Sequence, residues 1–528
     1  MLVQAQHSSQ VRDQAKRPGT LVRAGIRQHY LLLFLLALVP RLYLLHLFDV
    51  ELSNDGFDAV RTLNIIQTQG VGAVPRDLID RFILHPLYMI LLGGLHLVTP
   101  STVDFYVVGR LLSAVIGCLA VLVMFTFVRR SFDERAAWVA ALLLAFAPSF
   151  LWESVAILSS TLFLLLYLGV LLSLVQGYYR AAALLAALAA LTRYEGFVLI
   201  GLVALCLIGR DVRARQVERA DWLALIALAL AVPLVIIGSG WLATGNTTEF
   251  IGAQAMASIW LRFMAAPDFA RRAAFFITQY PQLFPLPVIW LGGAGLVVAL
   301  LWRRIRVTGL LLLTSGLYLA FFETLVWFNY TTLEVRFLMY PGLPLLVFAG
   351  VSLSGVRKWL AHLRDSTIWR AIGDVALLIV LTGLLFMSYR QGEEGMRFIY
   401  VMHSTQKQVA AELAHFVPAA APTNVLIYGG ISGALDMYAR QRGLQLTFFY
   451  FRYAPDGQGE QYVSDHAVQF IVYPVGNAFA TAKYPYLSQL QAQQRNGVTY
   501  RPLVQFTTLP DKQVYIIWSV SLATNTNN

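Results

Sequence analysis

The sequence predicts a polytopic α-helical membrane protein with a small α/β domain at its C-terminal end, and three observations support this. Of the 528 residues, 58% are hydrophobic and only 13% are charged. Soluble domains carry about 25% charged residues. Apolar runs of membrane-spanning length recur through residues 1–390. From residue 391 onward the hydrophobic runs become short and alternate with helix-like segments. We therefore expect two domains, a membrane-embedded one at 1–390 and a soluble α/β domain at 391–528.

The net charge of +11 is concentrated in the membrane part of the chain. Residues 1–390 hold 31 Lys and Arg against 21 Asp and Glu, whereas residues 391–528 hold 9 against 8. Short basic loops beside membrane spans produce this pattern, so nucleic acid is not expected as a partner. Cys118 and Cys206 both lie in apolar runs and offer neither a disulfide framework nor a Cys-based metal site.

The first apolar run, 30–48, follows a polar and basic N-terminus. No small-residue cleavage site comes after it, so we expect a retained span rather than a signal peptide. A span needs roughly 20 apolar residues. The short runs 181–193 and 196–209 could form a broken or re-entrant pair, which is tolerated only inside protein or beside a cavity. Eleven candidate spans follow from this criterion: 30–48, 105–128, 136–152, 156–177, 181–193, 196–209, 221–242, 284–302, 307–328, 337–355 and 371–389.

The basic residues orient these spans. If the N-terminus is cytoplasmic, the cytoplasmic segments hold 20 of the 40 Lys and Arg, and the longer opposite loops hold seven. The positive-inside rule then places the C-terminal domain outside the cytoplasm. In that domain the strand-like runs are NVLIYGG, LQLTFFYF, VQFIVYPV and KQVYIIWSV, and the helix-like runs are QVAAELAHFV, GALDMYARQRG and YPYLSQLQAQQ. This alternation is typical of an α/β domain.

The first long outside loop holds the most informative acidic residues. Asp49, Glu51, Asp55 and Asp58 follow the first span directly. Asp55 and Asp58 are three residues apart and share one face if a helix starts here. Two explanations remain open at this point: a catalytic carboxylate, or a solvated acidic helix start capped by Asn54 or Asp55.

Several stretches resemble the polyprenyl-phosphate-sugar-dependent glycosyltransferases of the GT-C fold. That class includes protein O-mannosyltransferases and the aminoarabinose transferase of lipid A. The resemblance covers pieces of residues 30–350, and this chain departs from it at HPLY, which lacks one proline, and at Ser160 and Asn54, where the family often has acidic residues. The matching stretches are DGFDAVRTLNII, HPLY, VGRLLSAVIGCLAVLVMFTFVRRSFDERAAWVAALLLAFAPSFLWES, ALAALTRYEGF and EVRFLMYPGLP, in that order.

The resemblance implies an inverting glycosyltransferase that moves a sugar from a polyprenyl-phosphate donor to a glycan, lipid or protein acceptor outside the cytoplasm. It implies an integral protein of the bacterial inner membrane, in contact with membrane lipids. Asp55 is the match to the catalytic aspartate and would remove the proton of the acceptor hydroxyl. Arginines at the predicted outside ends of spans would stabilise the departing lipid phosphate. These are Arg193, Arg336 and Arg41, and the expected substrate contacts are Asp58, His85, Tyr88, Glu153 and Glu334.

Several of these assignments have a structural alternative. Arg193 could pair with Glu195, and Arg336 with Glu334, because an arginine within a span usually pairs with an acid or lines a polar cavity. His85 could be a loop histidine beside a turn-forming proline, and Glu153 could be a solvated interfacial residue.

No cofactor is expected, and a metal is unsupported because HxxH, HExxH and DxD patterns are missing from the long loops. A secondary transporter is the main rival function, although the sequence shows no internal repeat. A polysaccharide-assembly protein without transferase activity is the other.

Overall fold

The apolar runs form helices in a computed structural model of the chain. All eleven predicted spans fall on helices, and seven helices among the described residues are long and apolar enough to cross a membrane. Three shorter apolar helices accompany them, at Pro86–Val98, Tyr179–Thr192 and Leu286–Leu301. The count of eleven full spans is therefore not established. The structure describes residues 20–48, 51–74, 85–100, 103–244, 278–327, 335–363, 367–428, 432–451, 454–455, 457–509 and 512–522.

The chain divides into two compact units. The first comprises Met1–Leu47 and Pro75–Gly392, and the second Phe48–Val74 and Glu393–Asn528. The second unit thus contains the segment of the first loop that carries the acidic residues, as well as the C-terminal part of the chain.

Helices dominate the first unit. Its core lies where α4, α5, α7 and α14 pack together. The helices are α1 (Thr20–Leu47), α3 (Pro86–Val98), α4 (Phe105–Ser131), α5 (Glu134–Ala145), α6 (Pro148–Glu153), α7 (Ser159–Gln176), α8 (Tyr179–Thr192), α9 (Gly196–Ala214), α10 (Arg219–Thr244), α11 (Tyr280–Leu283), α12 (Leu286–Leu301), α13 (Ile305–Trp327), α14 (Met339–Leu363) and the first part of α15 (Thr367–Leu413).

Local sequence explains two features of this bundle. The predicted span at 136–152 is broken into α5 and α6, because Pro148 disfavours helical backbone at Ala147, which has a ψ of 130°. Helices α12 and α14 approach closely at Gly295, where a Cβ would lie 1.7 Å from the carbonyl oxygen of Phe348. Small residues commonly permit such contacts between membrane helices.

The second unit is built on a mixed sheet of six strands in the order β2-β1-β3-β6-β5-β4. The three strands β2, β1 and β3 are parallel, and the remaining pairings are antiparallel. Aromatic side chains such as Trp518, Tyr473 and Phe451 fill its core. The elements are α2 (Asn54–Gln69), β1 (Pro422–Ile427), α16 (Ser432–Arg440), β2 (Gln445–Tyr450), α17 (Gly459–Asp465), β3 (Phe470–Pro474), α18 (Ala478–Lys483), β4 (Gln493–Arg495), β5 (Val498–Thr507) and β6 (Val514–Leu522).

The α/β character of the C-terminal part is confirmed, with two differences in detail. The run YPYLSQLQAQQ is not a long helix, because it forms only a 3₁₀ turn at Pro485–Ser488 before β4 begins. Strand β5 lies in a stretch for which the sequence pattern does not predict a strand. The end of α15 is tied to this domain by Gln408, whose side-chain amide donates to the carbonyl of Leu509 at 2.7 Å.

Candidate active site

Polar side chains of the first unit gather where several helices begin or end. The Arg110 Nε donates to the carbonyl of Val155 at 2.8 Å, which joins the start of α4 to the connection between α6 and α7. The Arg193 Nη1 donates to the Ser159 hydroxyl at 3.3 Å, which joins the end of α8 to the start of α7. The His85 Nδ1 lies 2.9 Å from the carbonyl of Thr192. These contacts define a polar cluster at one end of the helices, which we call the helix-end cluster.

Arg193 and Glu195 form a buried ion pair at the centre of the helix-end cluster. The Arg193 Nη2 lies 2.6 Å from the Glu195 Oε1, and the two side chains are 6% and 0% exposed. The guanidinium Nε also contacts both carboxylate oxygens, at 3.1 and 3.2 Å. The ring of Phe337 lies 5.9 Å from the Arg193 Cζ. The structural alternative for Arg193 is therefore present in the molecule, while one guanidinium nitrogen remains directed at Ser159.

The turn that carries this pair is tight because of Gly196. A Cβ there would lie 2.2 Å from the backbone nitrogen of Ala190, so a side chain would force α8 and α9 apart. The Tyr318 hydroxyl donates to the carbonyl of Glu195 at 3.2 Å and holds the turn from α13. The short pair of predicted spans is thus a helical hairpin with a charged tip.

Glu153 and Arg110 are both buried in the same region, at 1% and 3% exposure. The alternative of a solvated, interfacial Glu153 therefore does not hold. Arg110 lies near the start of α4, and its guanidinium is directed into the protein, toward the carbonyl of Val155. Tyr88 is buried as well, and its hydroxyl lies 3.5 Å from the Ser113 hydroxyl.

Arg41 lies inside the helix bundle rather than at its surface. It is fully buried, and its Nη1 donates to the carbonyls of Ala37 at 2.7 Å and Ala145 at 3.2 Å. Its Cζ lies 5.1 Å from the ring of Phe150. Within the described residues its Nε and Nη2 have no hydrogen-bond partner. A buried cation with unsatisfied donors is costly, which favours an additional polar ligand at this position.

Two predicted site residues are described only in part or not at all. Arg336 lies in the 3₁₀ turn Val335–Leu338 that leads into α14, and nothing is described of its side chain. Glu334 lies outside the described residues.

Asp55 lies in the first turn of α2, in the second unit. The N-cap is Ser53, not Asn54 or Asp55, and its hydroxyl accepts from the backbone nitrogens of Asp55 at 3.1 Å and Gly56 at 3.4 Å. The Asp55 side chain is half-buried. A helix N-terminus is a favourable position for a negatively charged side chain.

One turn further on, Asp58 belongs to a charged group around Arg61. The Arg61 Cζ lies 5.6 Å from the ring of Phe448. Burial by itself would lower the pKa of Arg61, but the charges of Asp436 and Asp58 and the hydroxyl of Tyr450 outweigh it and raise that pKa. Helix α2 packs on α16 at this point, so the acidic helix is held by the α/β domain.

Sequence reasoning missed a buried contact that supports the start of α2. Glu51 is fully buried, and its Oε1 accepts from the backbone nitrogen of Ser53 at 3.0 Å. His403 hydrogen-bonds to the backbone of Glu51, and its ring lies 5.5 Å from that of Phe57. Burial lowers the pKa of His403 to about 4. The partners are about 350 positions apart in the chain, so no local pattern signals the contact.

Within the described part of the chain, no three His, Cys, Asp or Glu side chains converge as metal ligands would.

Comparison with known proteins places this arrangement in context. The family model for dolichyl-phosphate-mannose-protein mannosyltransferase matches residues 101–237, which run from the start of α4 into α10. That segment includes Arg110, Glu153, Arg193 and Glu195. No curated protein sequence matches the chain.

Solved structures resemble most of the chain. The oligosaccharyltransferase of the archaeon Archaeoglobus fulgidus in its apo form superposes with a TM-score of 0.55 at 15% identity, over 84% of this chain and 69% of that one. The same enzyme tethered to an acceptor peptide gives a TM-score of 0.56 at 13% identity, over 92% and 74%. ArnT from Cupriavidus metallidurans bound to undecaprenyl phosphate gives 0.47 at 17% identity, over 96% and 99%. The match to the archaeal enzyme shows the GT-C fold.

Proposed function

We propose that this chain, a membrane glycosyltransferase of the GT-C type, moves a sugar from a polyprenyl-phosphate donor to an acceptor outside the cytoplasm. The observation that carries the proposal is the helix-end cluster, whose Arg110, Ser159 and Arg193 lie within the segment matched by the family model for dolichyl-phosphate-mannose-protein mannosyltransferase. The archaeal enzyme of the same fold has been solved with a dolichol-phosphate. A donor with its tail in the bilayer must present its phosphate where membrane helices end. With this fold and this family match, the transporter and assembly-protein alternatives lose their support.

The proposed reaction is a single displacement. The acceptor oxygen forms a bond to the anomeric carbon while the bond from that carbon to the phosphate oxygen breaks, so the configuration inverts. Asp55 takes the proton of the acceptor hydroxyl, and the electron pair leaves with the lipid phosphate. General-base assistance of this kind typically contributes about 10²–10⁴-fold in rate.

The donor phosphate is assigned to Arg193, Arg336 and Arg41. Arg193 is oriented by Glu195 and presents directional N–H donors, which a phosphate accepts well. Arg41 has two buried nitrogens that lack a described partner. His85, Tyr88, Glu153, Asp58 and Glu334 are proposed to contact the sugar or the acceptor.

The test is turnover of a purified Asp55→Asn variant with a labelled polyprenyl-phosphate sugar. Asparagine keeps the shape of the side chain but cannot take up a proton, so we expect a fall of about 10²–10⁴-fold with donor binding unchanged. Asp465→Asn is the matched control, since Asp465 is an exposed acid at the end of α17 in the same unit. Near-normal turnover of Asp55→Asn at normal expression would remove Asp55 from the mechanism.

A further inference from the structure

We propose that a groove between α12 and α14 binds an anionic phospholipid. The groove has a volume of about 510 Å³, and none of its lining residues belongs to the helix-end cluster. Its walls are almost entirely apolar, with Lys358 as the one charged residue among them. The lining residues are Val298, Leu301, Trp302, Gly355, Val356, Lys358 and Trp359.

Three apolar side chains of the groove are exposed at the protein surface. Leu301 is 75% exposed, Trp359 61% and Val356 50%. Both helices are apolar, and α14 contains a candidate span, so these side chains lie against lipid in a membrane. Tryptophan is enriched where hydrocarbon meets the headgroup layer. The two tryptophans at this end of the groove therefore indicate its position at the membrane surface.

Two exposed arginines lie next in sequence to Trp302, a lining residue at the end of the groove. Arg303 and Arg304 follow Trp302 directly, are exposed, and make no ion pair with any residue that the structure describes. Lys358 is already engaged, because its Nζ lies 2.8 Å from the Asp133 Oδ2 and 4.2 Å from the ring of Trp302. The two arginines therefore supply the excess charge, and Lys358 fixes the position of the Trp302 ring.

Charge complementarity selects the class of ligand. An apolar groove accepts an acyl chain of any phospholipid, but a basic rim at its end favours a headgroup with net negative charge. Each arginine or lysine near an anionic membrane surface contributes about a five-fold preference. Phosphatidylglycerol meets these requirements, whereas the zwitterionic phosphatidylcholine does not.

Tryptophan quenching by brominated lipid tests the proposal. The full-length protein is placed in phosphatidylcholine vesicles in which either a minor share of phosphatidylglycerol or an equal share of phosphatidylcholine is brominated. We expect stronger quenching by phosphatidylglycerol, and we expect the double variant Trp302→Phe and Trp359→Phe to lose that excess. Trp241→Phe is the matched control, because Trp241 is 54% exposed and lies at the end of α10.

Charge variants separate a site from general attraction. Replacing Arg303 and Arg304 by Gln should reduce the preference for phosphatidylglycerol roughly ten-fold or more, whereas the same change at Arg213 and Arg215, exposed near the end of α9, should leave it intact. If both double variants lost the preference for phosphatidylglycerol equally, the attraction would be a diffuse effect of surface charge, and the proposal would be overturned. Equal quenching by the two lipids would overturn it as well. Protection of Trp302 and Trp359 from both lipids, together with a dimer in solution, would assign the groove to a second copy of the chain.

Discussion

At the scale of single residues, the Arg193–Glu195 ion pair is buried in the fold, and Arg193 is also proposed to bind the donor phosphate. Removing one partner of a buried ion pair leaves an uncompensated charge and typically costs about 3–5 kcal/mol. We expect Arg193→Ala to lower the melting temperature and to weaken donor binding. Glu195→Gln retains hydrogen-bonding atoms and leaves the arginine in place, so it should preserve donor binding better than Arg193→Ala.

Donor affinity, measured in variants that remain folded, decides whether Arg193 binds the donor or only pairs with Glu195. The double variant Arg193→Ala, Glu195→Ala removes both charges and should recover part of the lost stability without recovering donor affinity. If that double variant bound donor as well as the unaltered protein, Arg193 would be purely structural. Arg193→Lys should rescue only in part, because a lysine lacks the planar fork of the guanidinium.

We expect the stability of the protein to depend on pH because of the buried side chain of His403. Its pKa is about 4 in the folded protein, against a usual value of 6.5, because burial disfavours the charged ring. The unfolded chain therefore binds the proton at a higher pH than the folded one. The contribution of the neutral His403 ring to the free energy of unfolding is fully present above pH 6.5. That contribution is lost as the pH falls toward 4, by at most about 1.4 kcal/mol per pH unit.

Melting temperatures measured across this interval test the assignment. His403→Gln should flatten the decline between pH 6.5 and pH 4, whereas His415→Gln should not, since His415 is exposed beyond the end of the same helix. If the melting temperature of His403→Gln fell with pH as steeply as that of the unaltered protein, groups other than His403 would cause the pH dependence.

At the scale of elements, α2 depends on the α/β domain for its position. Arg61 lies among Asp58, Asp436 and Tyr450 and stacks near Phe448, which is a contact between the acidic helix and the domain around α16. The C-terminal domain therefore holds the helix that carries Asp55. This role is additional to any contact that the domain makes with an acceptor.

Arg61→Ala should accordingly reduce turnover while it loosens α2. The expected signs are faster amide hydrogen exchange across Asn54–Gln69 and lower turnover with donor binding unchanged. Arg501→Ala is the control, because Arg501 is an exposed residue of β5. Normal exchange in α2 of the Arg61 variant would show that this contact does not hold the helix.

At the scale of the whole molecule, charged residues that the positive-inside rule assigns to the cytoplasm are paired across helix ends. The Arg180 Nε lies 2.9 Å from the Asp221 Oδ1, and Arg210 pairs with both Asp211 and Asp221. These pairs join the start of α8, the end of α9 and the start of α10. The turn that carries Arg193 connects the other ends of α8 and α9.

Cysteine labelling tests the proposed topology. In a background without Cys118 and Cys206, single cysteines are introduced at Arg213 and at Gln494, which are exposed positions near the end of α9 and in β4. With the membrane that holds the protein intact, an impermeant maleimide should label the cysteine at 494 and should reach the one at 213 only after lysis. The opposite pattern would invert the orientation.

Much of the architecture followed from the sequence alone, because its causes are local. The apolar runs form helices at the predicted spans, apart from the break before Pro148, since a backbone in lipid must satisfy its own hydrogen bonds. The alternation after residue 391 correctly predicted β1, β2, β3, β6 and α16. The GT-C resemblance rested on motifs that lie in continuous stretches of chain, and the fold confirmed it.

Only the tertiary structure decided which charged residues are buried and what surrounds them. The sequence predicts Arg41 at an outside end of a span, yet it lies inside the bundle, where the carbonyl of Ala145 accepts its hydrogen bond. Arg110 is buried too and donates to the carbonyl of Val155, between α6 and α7. Glu51 and His403 meet from opposite parts of the chain. A pattern of residues determines which face of a helix is apolar, but the partner of a buried charge depends on how distant segments pack. The electrostatics of the candidate site therefore became visible only in the folded molecule.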